Sequence, residues 1–382
     1  MSVVAITGAR VIFEGALRDG LCVVLDGSRI ASISDRAPDD ASIVDLKNEI
    51  LVPGFIDVQV NGGGGRLFND DPSVETIAKI ASAHRKFGTT GLMPTLISDD
   101  ISVVERGIAA VDAAIEQGVP GVLGIHIEGP FLSSARRGIH LQSMLQRFDD
   151  RFVDILSAGH HGRTLVTMAP ECVTPPQIRR LVDSGVIVCA GHSDADYETV
   201  CAAIDAGMTG FTHLFNGMSQ LTNREPGMVG AALENDFTYA GIIVDGHHIH
   251  PANLRIALKM MGSERLMLVT DAMATVGSDS ADFMLQGREI RTEDDRLVSG
   301  DGVLAGSSLT MAAAVANAIE QARIPLALAV QMASRTPAAF LGLEEQTGKI
   351  RTGLRADLVA MRDDFSVTRT WIDGVCNTEA CS

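Results

Sequence analysis

From Gly54 onward the chain alternates short apolar runs with helix-length stretches, and this rhythm constrains the fold more than any other feature. The runs are FIDVQV (55–60), TGLMPT (90–95), VLGIHIE (122–128), TLVTMAP (164–170), VIVCAG (186–191), TGFTHL (209–214), AGIIVD (240–245) and LMLVTD (266–271). Nearly continuous apolarity is what parallel strands covered on both faces require. Stretches such as SVETIAKIASAHRKFG, SVVERGIAAVDAAIEQG, PPQIRRLVDSG and DYETVCAAIDAG read as helices, each ending on a glycine suited to a left-handed cap. Eight strand–helix units close a (β/α)8 barrel, so the expected fold is an α/β TIM barrel spanning residues 53–343. The alternative is an open doubly wound sheet. No GxGxxG opens a helix, however, and NGGGG after the first strand lacks the downstream parts of a nucleotide fingerprint.

Both flanks have a different texture. Residues 1–52 hold the β-type runs VVAITGARVIF, GLCVVLDGSRIASI and ASIVDLKNEILVPG, and 344–382 return to short strands in GKIRTGLRADLVAMRDDFSVTRTWIDGV. A small β-sandwich domain assembled from the two termini accounts for both. Between the last barrel strand and the end, FMLQGREIR reads as a hairpin, while SSLTMAAAVANAIEQA and PLALAVQMASRTPAAFLG read as two long helices.

Charge narrows the partners. With 48 acidic against 31 basic residues the net charge is -17, which repels nucleic acid and anionic membrane. An anionic small substrate therefore needs local basic groups. Cys22, Cys172, Cys189, Cys201, Cys376 and Cys381 are scattered without CxxC spacing, as expected of free thiols in a reducing compartment. The start, MSVVAITGARVIFEG, has no signal-peptide pattern, and no apolar run reaches about 18 residues. A soluble cytoplasmic protein is expected.

In a barrel the C-terminal strand ends face the active site. Polar residues recur there: Gln59 and Asn61 at strand one, Glu128 at three, His192 after five, His213 within six, His248 after seven and Asp271 at eight. A buried Glu128 alone would cost several kcal/mol. One carboxylate and two imidazoles from separate strand ends, Glu128, His192 and His213, make a usual catalytic zinc set with one position open. Asp271 would face them as a free carboxylate able to take a proton from water and pass it to a leaving amine; the alternative is a helix cap. His84, His160 and His161 read as surface or structural residues. His126 shares a strand face with Glu128 and could support it, and the cluster His247, His248 and His250 is left open between metal and substrate.

Taken in order, PGFIDVQVNGGGG, GIHIEGPFLS, RRGIH, APE, AGHSDA, THLFNGM, GIIVDGHHIHP, LVTDAM and LAGSSLTM resemble the N-acetylglucosamine-6-phosphate deacetylases of the amidohydrolase superfamily, over nearly the whole chain. The resemblance implies metal-dependent hydrolysis of the acetamide of N-acetyl-D-glucosamine 6-phosphate, with Glu128, His192 and His213 holding the metal and Asp271 as general base and acid. It further implies substrate contacts from His140, Asn216, Gly217, Arg224, His248, Leu304, Ala305 and Gly306, with His140 also placed at the reacting carbonyl. Gly217 stands where relatives often carry Ala. Many superfamily members have HxH after strand one and two metals; Gln59 and Asn61 replace it here, and amides are poor substitutes for imidazole. One divalent metal per subunit is therefore expected, zinc first, with Fe, Co or Mn possible, while Gln59 and Asn61 act by hydrogen bonding or support a weak second ion. A homodimer in which Arg224 serves the neighbouring site is also implied, a guanidinium being suited to grip phosphate by two bonds. The competing readings are an amidohydrolase for another N-acyl or cyclic amide, and a catalytically silent sugar-phosphate binding barrel.

Overall fold

The computed structural model describes residues 3–377, so Cys381 lies outside the described residues. The chain opens with five strands: β1 (Val4–Phe13), β2 (Ala16–Asp26), β3 (Arg29–Ser34), β4 (Ser42–Asp45) and β5 (Ile50–Pro53). β1 pairs with β2 along its length, and on its other edge takes β4 with Val4–Thr7 and β5 with Arg10–Val11. That shared edge lets one strand serve two parts of the domain.

One residue after β5 the barrel begins. Its strands are β6 (Phe55–Val60), followed by a small ladder of β7 (Gly62–Gly63) and β8 (Arg66–Leu67), then β9 (Thr89–Ile97), β10 (Gly124–Glu128), β11 (Arg163–Met168), β12 (Ile187–Ala190), β13 (Gly210–Phe211), β14 (Tyr239–Ile243) and β15 (Leu266–Val269). They pair in parallel in the order β6-β9-β10-β11-β12-β13-β14-β15. Every residue of β6, β9 and β10 is buried, the two-faced burial that their continuous apolarity required. Closure occurs just beyond the last strand: Val60 bridges Ala272 in parallel, and Asp271 N–H donates to Gln59 C=O at 3.0 Å. The seam thus runs through the residues of interest. Helices fill the connections, and glycines 88, 118, 185 and 207 take positive φ shortly after the helices ending at Arg85, Glu116, Asp183 and Asp205, as the sequence indicated.

After the barrel come β16 (Phe283–Leu285), β17 (Arg288–Glu293) and β18 (Arg296–Ser299), an antiparallel three-stranded flap that extends the expected hairpin. Last are β19 (Leu358–Met361), β20 (Val367–Ile372) and β21 (Val375–Asn377). β19 pairs with β5, so both termini build one mixed sheet around an apolar cluster that includes Ile6, Val23, Leu51, Leu358 and Trp371.

Two expectations need correction. The run PLALAVQMASRTPAAFLG is not one helix but two, Leu326–Ala333 and Arg335–Phe340, broken at Ser334 (φ -137°, ψ -75°). Pro337 has no N–H to donate to Ala333, and a ring there is tolerated only in a first turn. The sixth strand ends at Phe211, so His213 lies past it rather than within it; its φ of +37° is incompatible with a strand ladder.

Candidate active site

Three of the sequence-selected residues stand just after their strands in a left-handed backbone: His192 at φ +48°, His213 at +37° and Asp271 at +52°. Such conformations are uncommon for side chains other than glycine and persist only where surrounding structure enforces them. They turn the three side chains inward to meet Glu128, the last residue of β10. Glu128 Oε1 is 2.8 Å from His213 Nε2 and 3.2 Å from His192 Nε2, and the two nitrogens are 3.0 Å apart. All are buried, Asp271 being the most exposed at 9%.

His192 Nδ1 donates to Arg136 C=O at 2.9 Å, which leaves the Nε2 lone pair facing the cluster. Two imidazole nitrogens and a carboxylate oxygen converging on one point form a donor set that fits a divalent metal. Burial opposes the charge of Glu128, but the two histidines beside it prevail and hold the carboxyl well below the usual range. Ligand-capable atoms of Glu128, His192 and His140 also lie within 4.8 Å of one another. The tighter set includes His213 instead, and His140 is otherwise engaged. Its Nδ1 receives the Ser98 N–H at 3.2 Å and sits 2.8 Å from Ser98 Oγ. An Nδ1 that accepts leaves the proton on Nε2, making His140 a donor rather than a metal ligand. Burial, with the neighbouring His192, lowers its pKa to about 3, so it is a neutral donor.

The amide pair has a definite task. Asn61 Nδ2 donates to Asp271 Oδ1 at 2.6 Å, while Gln59 Nε2 spans Asp271 Oδ1 (3.1 Å) and Glu128 Oε1 (3.2 Å). Both amides therefore orient carboxylates through hydrogen bonds. Burial and the charge of Glu128 push the Asp271 carboxyl up to about 7, against the pull of His213, His248 and Asn61. A carboxyl near neutrality is suited to accepting and returning a proton.

The cavity over these groups measures about 240 Å³ and is lined by Asn61, Glu128, His140, His192, His213, Asn216, Gly217, His248, Asp271, Leu304 and Gly306, with apolar walls from Ile97, Ile139, Ile243, Met273 and Val303. His248 Nδ1 lies 2.6 Å from Asp245 Oδ2; burial disfavours its charge, but Asp245 and Asp271 raise its pKa. His247 is exposed and does not line the cavity, whereas His248 does. Gly217 has φ +58°, and a Cβ there would stand 3.1 Å from His192 Nδ1. Gly306, at φ +62°, packs so closely that a Cβ would meet Asp271 C=O at 2.6 Å. A larger crevice of about 400 Å³ between the small domain and the barrel gathers no histidine.

Not every selected residue reaches the cavity. Ala305 is fully buried in the apolar cluster of Ile97, Ile139 and Met273 and does not itself line the cavity. Arg224 is exposed on a turn closed by Thr222 N–H to Glu225 C=O at 2.8 Å, and the cavity lining contains no lysine or arginine. His84 is fully buried, its Nε2 2.9 Å from Gly62 C=O, and is structural. His126 Nε2 bonds Thr167 Oγ1 at 2.8 Å, in the layer beneath Glu128.

The family model for the Amidohydrolase family matches residues 50–376. This chain belongs to that family. The amidohydrolase is 47% identical over 371 residues to the N-acetylgalactosamine-6-phosphate deacetylase of Shewanella sp. (strain ANA-3), covering 96% of this chain and 94% of the relative. It is 35% identical over 363 residues to the N-acetylglucosamine-6-phosphate deacetylase of Haemophilus influenzae, covering 94% of each. The crystal structure of N-acetylglucosamine-6-phosphate deacetylase from Pasteurella multocida superposes with a TM-score of 0.95 at 33% identity, covering 99% of this chain and all of the other.

Sequence reasoning missed the layer that positions Asp271. Asp57, fully buried, accepts from Thr270 Oγ1 at 2.5 Å, and from the N–H groups of Thr270 (3.3 Å) and Gln59 (3.2 Å). An aspartate inside the strand run FIDVQV was the available signal. Burial pushes its carboxyl up to about 7 despite those bonds. The folded value exceeds the unfolded one, so the folded chain holds the extra proton between them. Its contribution is complete below about pH 4 and is lost as pH rises to about 7, at about 1.4 kcal/mol per pH unit. Relative to Asp57→Asn, the wild type should lose stability on that slope; parallel urea-midpoint profiles for the two proteins would contradict this.

Proposed function

We propose that this amidohydrolase hydrolyses the acetamide of N-acetyl-D-glucosamine 6-phosphate, releasing acetate and D-glucosamine 6-phosphate, in amino-sugar catabolism. The observation that carries the reading is the meeting of Glu128, His192 and His213 on one point with the unligated Asp271 beside them. Relatives named for this chemistry span almost the whole chain. Glu128, His192 and His213 would hold one divalent metal per subunit, zinc first by donor type, with Fe, Co or Mn compatible. Such an ion polarises a carbonyl and acidifies water when bound.

In this reading Asp271, its Oδ1 fixed by Asn61 and Gln59, accepts the proton of the attacking water and returns it to the departing nitrogen. His140 Nε2–H donates to the acetyl oxygen as charge develops there. Asn216, Gly217, Leu304 and Gly306 shape the sugar site, and His248 offers a donor to the substrate. The absence of a cation from the cavity lining supports phosphate capture by Arg224 of a second copy in a homodimer. Exposed Leu221 (56%) and Phe237 (83%) flank the helix beside Arg224 and are suited to covering by such a copy. Mixing inactive Arg224→Met chains with inactive Asp271→Asn chains should restore activity, because one hybrid site regains both residues. No recovery in verified mixed dimers would place Arg224 in its own chain's site. Cytoplasmic residence belongs to the same proposal, supported by free thiols at Cys22, Cys172, Cys189, Cys201 and Cys376. No helix among the described residues is long and apolar enough to cross a membrane.

The Shewanella relative favours a second reading, in which the C4 epimer N-acetyl-D-galactosamine 6-phosphate is the better substrate. Comparing kcat/KM for the two phosphosugars and for unphosphorylated N-acetylglucosamine separates the possibilities. Equal turnover without the phosphate would overturn the substrate class itself.

A further inference from the structure

We infer that the three-stranded flap is a positioning device for His140, gripping the two segments that hold this imidazole through Gln286 and Arg288. The inference rests on the role given to His140 above. His140 is fixed from two sides: its own loop carries it, and Ser98, just past β9, bonds its Nδ1. The flap reaches both. Gln286, at the β16–β17 turn with φ +47°, donates from Nε2 to Ser98 C=O at 2.9 Å and to Asp99 Oδ2 at 3.0 Å. Arg288, at the start of β17, donates from its guanidinium to Ile139 C=O. The bond to Ser98 lands on the residue that touches His140, and the bond to Ile139 on the residue that directly precedes it.

Apolar packing repeats the pattern independently. Leu285, Ile290 and Leu297 of the flap form one buried cluster with Ile97, Ile139 and Met273. Ile97 precedes Ser98, and Ile139 precedes His140. The flap would otherwise expose its small core, so burying it on these two residues ties the register of Ser98 against His140 to flap docking. An oxyanion donor must be placed within a fraction of an ångström to be effective, and a lone loop without such bracing is mobile.

A positioning residue acts only through the group it positions, which a double-mutant cycle reads directly. Arg288→Met is expected to lower kcat about tenfold with KM little changed, with metal content retained. Arg288→Lys, which keeps a donor, should recover most of the loss. In a His140→Asn background the same Arg288→Met change should cost less than about twofold. An equal factor in both backgrounds overturns the brace, while leaving the role of His140 intact if His140→Asn is itself impaired. A fully active His140→Asn enzyme overturns the catalytic reading and the brace with it. Should Arg288→Met fail to fold, Gln286→Leu on the other arm is carried through the same cycle and judged by the same outcomes.

Discussion

Asp271→Asn is expected to lower kcat by two to four orders of magnitude, roughly what a positioned general base contributes, with KM and bound metal close to wild type. The substitution is nearly isosteric. Oδ1 remains an acceptor for Asn61 Nδ2 and Gln59 Nε2, so the side chain should keep its place while losing the ability to take a proton. The loss should also be uneven in pH. In the wild type the base must be ionised, so activity falls as pH drops through the Asp271 pKa, which lies about 7 before a metal is present; a bound cation favours the carboxylate and moves the fall to lower pH. The residual activity of Asp271→Asn should lack that acid limb. Near-normal kcat with metal bound would remove Asp271 from proton transfer.

Glu128→Gln should abolish turnover by a different route, through loss of the metal. The carboxylate is the one anion in the set and touches both histidines. Its amide would be a weak donor to a divalent ion and would leave two buried imidazoles facing each other. Metal analysis should find far less than one ion per chain. Stability supplies a second test, because a ligand bound only by the folded state stabilises it, by about 3 kcal/mol at a hundredfold excess over Kd. Chelation should therefore lower the wild-type melting temperature and leave Glu128→Gln unmoved. A variant that retains metal stoichiometrically would displace Glu128 from the ligand set.

Much of this was legible in one dimension. All eight barrel strands were readable because strands covered on both faces must be apolar throughout. Glu128, His192, His213 and Asp271 stood out because a polar group ending such a run has few inexpensive alternatives to function. The break at Ser334 was less visible, since the apolar spacing on its two sides continues and only Pro337 marks it. Ser98, Gln286 and Arg288 carry no local signature at all: each is an ordinary polar residue whose meaning comes from a carbonyl or a ring far away in sequence.

The amino-acid order alone determined which strands form and which strand ends carry polar groups, because burial periodicity and the cost of isolated buried charge are local properties of a chain. Only the tertiary structure decided the proton positions and the aim of the side chains. His140 became a donor because Ser98 N–H occupies its other nitrogen. His192, His213 and Asp271 point inward because the surrounding barrel holds their backbones left-handed. Both facts depend on contacts between distant segments, and hydrogen-bond direction exists only once those segments have met.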